Sequence, residues 1–388
     1  MTPSTRTTIS LIAAGLAFSP LLFQRITEPA APGFAIQSAC QNKELAGTTA
    51  KPFYRKANVH QQGITKQAHA SALTEPGNGN LLAAWYGGSR EGSKDSAIFT
   101  AFYNAATGQW GPDRVIANRL TTGKATQRYV KKVGNPVIVR SKDNTLHLFY
   151  VSVSVGGWSG SSINTMQSTD NGESWSTAKR LITSPFFNLS TLVKGEPLFM
   201  QDGTIAIPVY HEMMGKFAEM IYYHPGSGVI NKTRISHGRA SLQPSVVAFD
   251  EHNAVALLRY AGKGKPRVQY SRTDDAGNSW TKMEPTTLPN PNAAVSARCI
   301  DANTLLMAFN NKEHGRDDLS LAVSSDKGTT WHVIHKIEYA PNSKSEQRFS
   351  YPYLIEDSNG VFHISYTWNK KLIKHVSFNR AWLKRKML

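Results

Sequence analysis

Two cysteines, Cys40 and Cys299, are all that the 388 residues contain. Neither belongs to a C-x-x-C pair, which excludes zinc fingers and thioredoxin-type redox sites. Two thiols cannot build a disulfide scaffold, although they allow one bridge. Acidic residues are also scarce: 27 Asp plus Glu stand against 44 Lys plus Arg. Such a surplus either leaves a generally basic surface or favours an acidic partner, such as an anionic glycan, nucleic acid or anionic lipid headgroups. No dinucleotide fingerprint, phosphate-binding glycine loop or metal-ligand spacing occurs, so neither cofactor nor metal is expected. After residue 23 no segment is apolar enough to span a bilayer.

The one long apolar run stands at the start. Arg6 precedes "ISLIAAGLAFSPLLF", 15 residues from Ile9 to Phe23. That is long for the core of a signal peptide and short for a membrane span. Residues 1–25 therefore read as a signal peptide or a membrane anchor, and 26–52 as a Pro- and Ala-rich linker. The protein is expected to be exported, to the periplasm, the exterior or a membrane surface. The basic end "LKRKML" reads as a solvated tail and not as a nucleic-acid arm.

What the chain has in abundance is repetition. "STDNGESW" at 168–175 returns as "TDDAGNSW" at 273–280 and "SSDKGTTW" at 324–331. Each octet lies between two short strand patterns. Its Asp can accept hydrogen bonds from backbone N–H groups two residues on. Its Gly can take φ > 0, and its Trp offers a large apolar plate. The second and third Trp are 51 residues apart and the first and second 105, about twice as far. A unit without the octet is expected midway, and "AEMIYYHPGSGVINKTRIS" at 218–236 supplies strand, turn and strand. Period-two alternation runs nearly throughout, with Asp/Asn-Gly turns, as hairpins require.

The count gives six four-stranded units over 53–388, hence an all-β six-bladed propeller. Inner strands are expected to start near His69, Asn135, Glu196, Gln243, Asn292 and Tyr351. The last unit lacks an outer strand, which "FYRKANVHQQGIT" ahead of the first unit can supply. The octets fall in the third-to-fourth connections, at one end. The opposite mouth collects His69, Asn135, Glu196, Gln243 and Tyr351 from inner-strand starts. Its second-to-third loops add Arg90, Glu91, Asp95, Trp158, His211, Glu212, Arg259, Arg316 and Trp368. Converging polar groups at one end of a propeller form a ligand site by default. There Trp158 and Trp368 offer plates on which a sugar can stack.

The octets resemble the Asp boxes of sialidases, and residues 55–380 resemble the sialidase (BNR-repeat) superfamily. "AAWYGGSREGSKDSAI" and "YTWNKKLIKHV" are closest to its bacterial predicted-neuraminidase branch. The resemblance implies three arginines that bind a sugar carboxylate, an Asp general acid, and a Tyr–Glu pair as nucleophile and base. Carried onto this chain, the acid falls on Asp95 with Arg90 just before it. The second and third arginines fall on Arg259 and Arg316, and the nucleophile on Tyr351. Two positions depart: His69 stands where the first arginine belongs, and Gln243 where the Glu belongs. Gln cannot take a proton from a phenol. Glu212 or Glu196 is the expected substitute base.

The expected function is an exported, monomeric glycoside hydrolase of exo-α-sialidase type acting on an acidic sugar of a glycan or polysaccharide. Two alternatives stay open: a polysaccharide lyase or uronate-specific hydrolase using His69 and Tyr351, and a propeller that binds glycan without catalysis.

Overall fold

The computed structural model describes residues 32–35, 40, 50–60, 63–184, 188–341, 343 and 346–388. The expected signal peptide or anchor, residues 1–25, lies outside them, as does most of the expected linker. Among the described residues, no helix is long and apolar enough to cross a membrane.

Strand alternation and turn chemistry fold the chain into six antiparallel sheets. Blade one is Gln67–Gly77, Asn80–Gly88 and Ala97–Asn104, with Gln109–Trp110 and Arg114–Asn118 both paired to the third strand. Blade two is Lys132–Arg140, Leu146–Val153, Ser161–Ser168 and Lys179–Arg180. The inner edge of blade three comes in two pieces, Leu192–Val193 and Leu198–Phe199, followed by Ile205–His211, Phe217–His224 and Gly228–Arg234. Blade four is Ser241–Ala248, Ala254–Tyr260, Arg267–Thr273 and Glu284–Pro289. Blade five is Ser296–Cys299, Leu305–Phe309, Asp318–Ser324 and His332–Tyr339. Blade six is Phe349–Glu356, Val361–Trp368 and Leu372–Asn379, and its outer strand is Tyr54–Asn58 from the other end of the domain. That strand runs antiparallel to the last, from Tyr54 opposite Phe378 to Asn58 opposite Lys374, and closes the ring.

Apolar faces of neighbouring blades pack against each other. Trp85, Leu148 and Tyr150 join blades one and two, and Phe309, Leu257 and Val268 join four and five. Burial of this kind stabilises at about 25 cal/mol per Å² of apolar surface.

The three octets sit in third-to-fourth connections and share one hydrogen-bond scheme. The Asp carboxylate accepts from the backbone N–H and hydroxyl four residues on: Ser174 to Asp170, Ser279 to Asp275, Thr330 to Asp326. The reach is thus four residues, not two, because the opening Ser or Thr takes the glycine N–H (Gly172 to Ser168, 2.9 Å). Gly172, Gly277 and Gly328 have φ of 92°, 85° and 95°. Trp280 and Trp331 are buried and donate to the carbonyls of Gly277 and Gly328.

The basic end is not a solvated tail. Asn379 caps a helix, Arg380–Met387, by accepting from the Trp382 N–H. Its Leu383 is fully buried, and Arg380 pairs with Glu356. The second helix, Arg119–Thr126, opens on a capping box at Asn118. Cys40 and Cys299 form a disulfide with Cα atoms 5.5 Å apart across 259 residues.

Candidate active site

One backbone device repeats around the mouth. Ala70, Asn135, Gln243, Asn292 and Tyr351 all have left-handed φ, between 46° and 55°. In blades one, two, four and six the residue falls where the inner strand shifts register against its neighbour. A bulge bends a strand and re-aims a side chain. A non-glycine residue held there costs about 1–3 kcal/mol, a cost that clusters at functional sites. Asn135, Gln243 and Tyr351 each precede a proline. Proline has no N–H to give the ladder, so an X-Pro pair suits a bulge. Those three X-Pro pairs are a sequence signal for the mouth.

Gln243 and Arg259 start an ordered network. Arg259 donates from Nη1 to Gln243 Oε1 (3.0 Å) and from Nε to Asn292 Oδ1 (2.6 Å). Arg316 donates from Nη2 to the Asn292 carbonyl (2.6 Å) and from Nη1 to Ser350 Oγ (3.2 Å). Two guanidinium groups from blades four and five therefore converge on one asparagine. All four acceptors are neutral, and among the described residues neither arginine has a carboxylate partner. Burial, with Arg259 and Arg348 close by, lowers Arg316 below the usual guanidinium value.

Because Arg259 claims the Gln243 carbonyl oxygen, the amide nitrogen faces the Tyr210 hydroxyl at 3.1 Å; Asn135 meets the same hydroxyl at 3.1 Å. Burial, then the proximity of Tyr351 and Glu212, raises the Tyr210 phenol above its ordinary value.

Tyr351 is half-buried at the start of blade six, and its ring stands perpendicular to His69 with centroids 4.7 Å apart. His69 Nδ1 meets Thr367 Oγ1 at 3.2 Å. Burial lowers His69 to about 3, and Lys370, Arg316 and Lys194 add to the effect against Glu91, so the imidazole is neutral. Glu91 accepts from Lys370 Nζ (2.7 Å) and lies within hydrogen-bonding reach of Tyr86. Burial pushes its carboxyl up, but His69 when protonated, with Lys370 and Arg316, outweighs that and holds it below the usual range. Trp158 closes this wall: Lys132 Nζ is 4.1 Å from its ring centroid, and a Cβ at Gly134 would come within 2.6 Å of it.

The fold thus brings His69, Gln243, Arg259, Arg316 and Tyr351 into one network, with Trp158 at its edge and Glu212 beside Tyr210. Three expected members stand apart. Asp95 is exposed, and its carboxylate accepts from the Ser89 N–H and hydroxyl (both 2.9 Å) and from Ser93. The Ser93 bond, outweighing the small burial, lowers its pKa with help from Ser89. Tied to its own loop in this way, the carboxylate makes a loop cap here. Asp95 also lines a groove with Lys66, Asn118 and Arg119, which His69, Arg259, Arg316 and Tyr351 do not line. Arg90 is exposed on the same loop, where its carbonyl accepts from Ser93. Glu196 lies deeper: it accepts from Arg298 Nη1 at 3.1 and 3.0 Å and lines a cavity with Cys40 and Cys299. Its "EP" pair imitates the mouth pattern of the other blades, but the left-handed residues that lead into blade three are Asn188 and Ser190, eight and six positions earlier.

Glu91, placed at the mouth from sequence but given no part, and Tyr210, Asn292 and Lys194 complete the site. Lys194 had one signal, a charge inside the apolar run "TLVKGEPLF". Tyr210 had none, since it ends an ordinary strand.

The ring and its mouth define a class: a six-bladed propeller with an unneutralised pair of arginines beside a tyrosine. The chain belongs to the BNR repeat-like domain family, whose model matches residues 79–364, and so to the sialidase-like BNR-repeat superfamily. It is similar in fold to a Hadza microbial sialidase (TM-score 0.68, 17% identity, 83% of this chain and 68% of that one). It is also similar to a Dyadobacter fermentans protein of unknown function (0.66, 15%, 84% and 99%). A third similar structure is the intramolecular trans-sialidase of Ruminococcus gnavus bound to oseltamivir carboxylate (0.64, 14%, 84% and 98%). No functionally curated protein matches the chain by sequence.

Proposed function

We propose that the protein is an exported, monomeric glycoside hydrolase of exo-α-sialidase type that removes a terminal acidic sugar from a glycan or polysaccharide. One observation carries this: Arg259 and Arg316 share Asn292 beside Tyr351, and all their acceptors are neutral. A ligand carboxylate would receive charge-assisted hydrogen bonds from both, which are about twice as strong as neutral ones. The sugar carboxylate would then hold the anomeric carbon against Tyr351, whose oxygen forms the glycosyl-enzyme bond as the glycosidic C–O bond breaks. Neutral His69, in place of a third arginine, offers a packing and hydrogen-bonding wall instead of a third charge. The Cys40–Cys299 bridge supports export, because such bonds persist in oxidising compartments.

The test is release of sugar from a panel of fluorogenic sialosides and uronides, with the anomeric configuration of the first product read by NMR. Retained configuration is expected; inversion would remove Tyr351 from the nucleophile's place. A second reading, glycan binding without catalysis, is favoured by the outward Asp95 and by the amide at 243. It predicts that Tyr351→Phe leaves every measurable function intact.

A further inference from the structure

Four rings form a continuous wall that runs from blade six across blade one to blade two. Tyr351 stands against His69 with centroids 4.7 Å apart, His69 against Tyr86 at 5.7 Å, and Tyr86 against Trp158 at 5.9 Å, each pair edge to face. The wall ends on a cation, since Lys132 Nζ lies 4.1 Å from the Trp158 ring centroid.

Lys132 opens the inner strand of blade two and Trp158 sits in the second-to-third connection of the same blade, so both belong to the mouth. The lysine is only 7% exposed, its stem covered. Its amine meets the second-to-third loop of blade one at Gly92, where φ is 74° and a Cβ would come within 2.9 Å of Nζ. The absent side chain keeps that side of the amine open. Among the described residues no carboxylate or carbonyl accepts from this Nζ. Glu91, the acid that acts on it, is turned to Lys370 at 2.7 Å. A ring face attracts an ammonium without neutralising it. Burial, with Lys131 close by, lowers the amine below its ordinary value against the pull of Glu91. An apolar residue would pack there without the cost of covering a charge, so packing alone does not account for a lysine.

Glu91 acts on Arg316 as well as on Lys132, which puts the two cations on either side of one carboxylate. The mouth therefore has two places that seek an anion. The arginine pair lies at the Tyr351 end of the wall and Lys132 at the other. A group that meets Lys132 belongs to the next residue of the glycan, not to the sugar whose carboxylate rests on Arg259 and Arg316.

We propose that Lys132 and Trp158 form a second subsite that binds an anionic group on the residue adjoining the terminal acidic sugar, so that the preferred substrate is a polyanionic glycan in which acidic sugars are linked to one another. The proposal rests on the glycosidase reading above and narrows its substrate class. The second sugar ring lies on Trp158 and its carboxylate accepts from Nζ, a charge-assisted bond. The excess of 44 Lys plus Arg over 27 Asp plus Glu attracts such a chain at long range.

The experiment uses the full chain and two substrates with the same terminal sugar: 3′-sialyllactose, whose next residue is neutral, and the α2,8-linked dimer of N-acetylneuraminic acid, whose next residue is acidic. Initial rates of sugar release give kcat/KM for each. Wild type should favour the dimer by about tenfold to a hundredfold, as one hydrogen bond between charged groups provides. Added salt should shrink that preference. Lys132→Met keeps an apolar stem over Trp158 and should lose the preference, with the change falling on the KM of the dimer. Lys132→Arg keeps the cation and should retain most of it. Equal kcat/KM for the two substrates in wild type, or an equal fall for both in Lys132→Met, overturns the proposal and leaves the glycosidase reading standing. A wild type that releases sugar from neither overturns both.

Discussion

Replacing Arg316 by Met removes one half of the arginine pair, and its consequences follow from the partners lost. Within the protein the guanidinium gives up two hydrogen bonds to uncharged acceptors, the Asn292 carbonyl and Ser350. Each contributes about 1.5–3 kcal/mol, and relief from burying a cation without a carboxylate offsets much of that. The melting temperature should therefore move little. For a ligand carboxylate the loss is larger, about 2–5 kcal/mol, as when one member of a buried charged pair is truncated. At 1.4 kcal/mol per decade this is about thirtyfold to a few thousandfold in affinity. The assay is competitive inhibition by an acidic sugar and by its methyl ester. Wild type should prefer the free acid strongly, and the variant should lose most of that preference. Equal weakening of acid and ester, or unchanged inhibition by the acid, would refute the pairing. Because Arg259 shares Asn292, the double variant with Arg259→Met should lose less than the sum of the single losses.

Three further outcomes are expected. Buried His69, lowered to about 3, and buried His375, lowered well below its usual value by burial and by His363, are neutral when folded but titrate near 6.5 when unfolded. The unfolded chain then binds more protons below pH 6.5, so stability falls with pH from there, by about 1.4 kcal/mol per unit per histidine, with His69 saturating near 3. Urea midpoints that stay flat between pH 7 and 5 would contradict this. Gly172→Ala meets both a φ of 92° and the Leu82 Cδ2 atom at 2.6 Å, and should cost about 1–3 kcal/mol in urea denaturation without changing ligand affinity. Cys299→Ser opens a loop of 259 residues and should cost about 2–5 kcal/mol, with the same loss on reduction of the wild type.

Much of this protein was legible locally. Period-two alternation and Asp-Gly turns need only neighbouring residues, so the blades could be counted and the closing strand Tyr54–Asn58 assigned to blade six. Blade position then put Arg259, Arg316, Gln243 and Tyr351 at one mouth, since each stands at a fixed place in its unit. Where a side chain points was another matter. Asp95 has the right residue type in the right loop, yet Ser89 and Ser93 draw its carboxylate into a local cap. Glu196 copies the X-Pro pattern, yet two surplus residues in blade three carry it below the mouth to Arg298. By itself the sequence determined the ring, because a blade is made of short-range pairings. Only the tertiary structure decided which groups meet on the axis. Lys194, Ser71 and Tyr351 lie far apart along the chain, and no local pattern records which of six converging strands advances one extra step toward the centre.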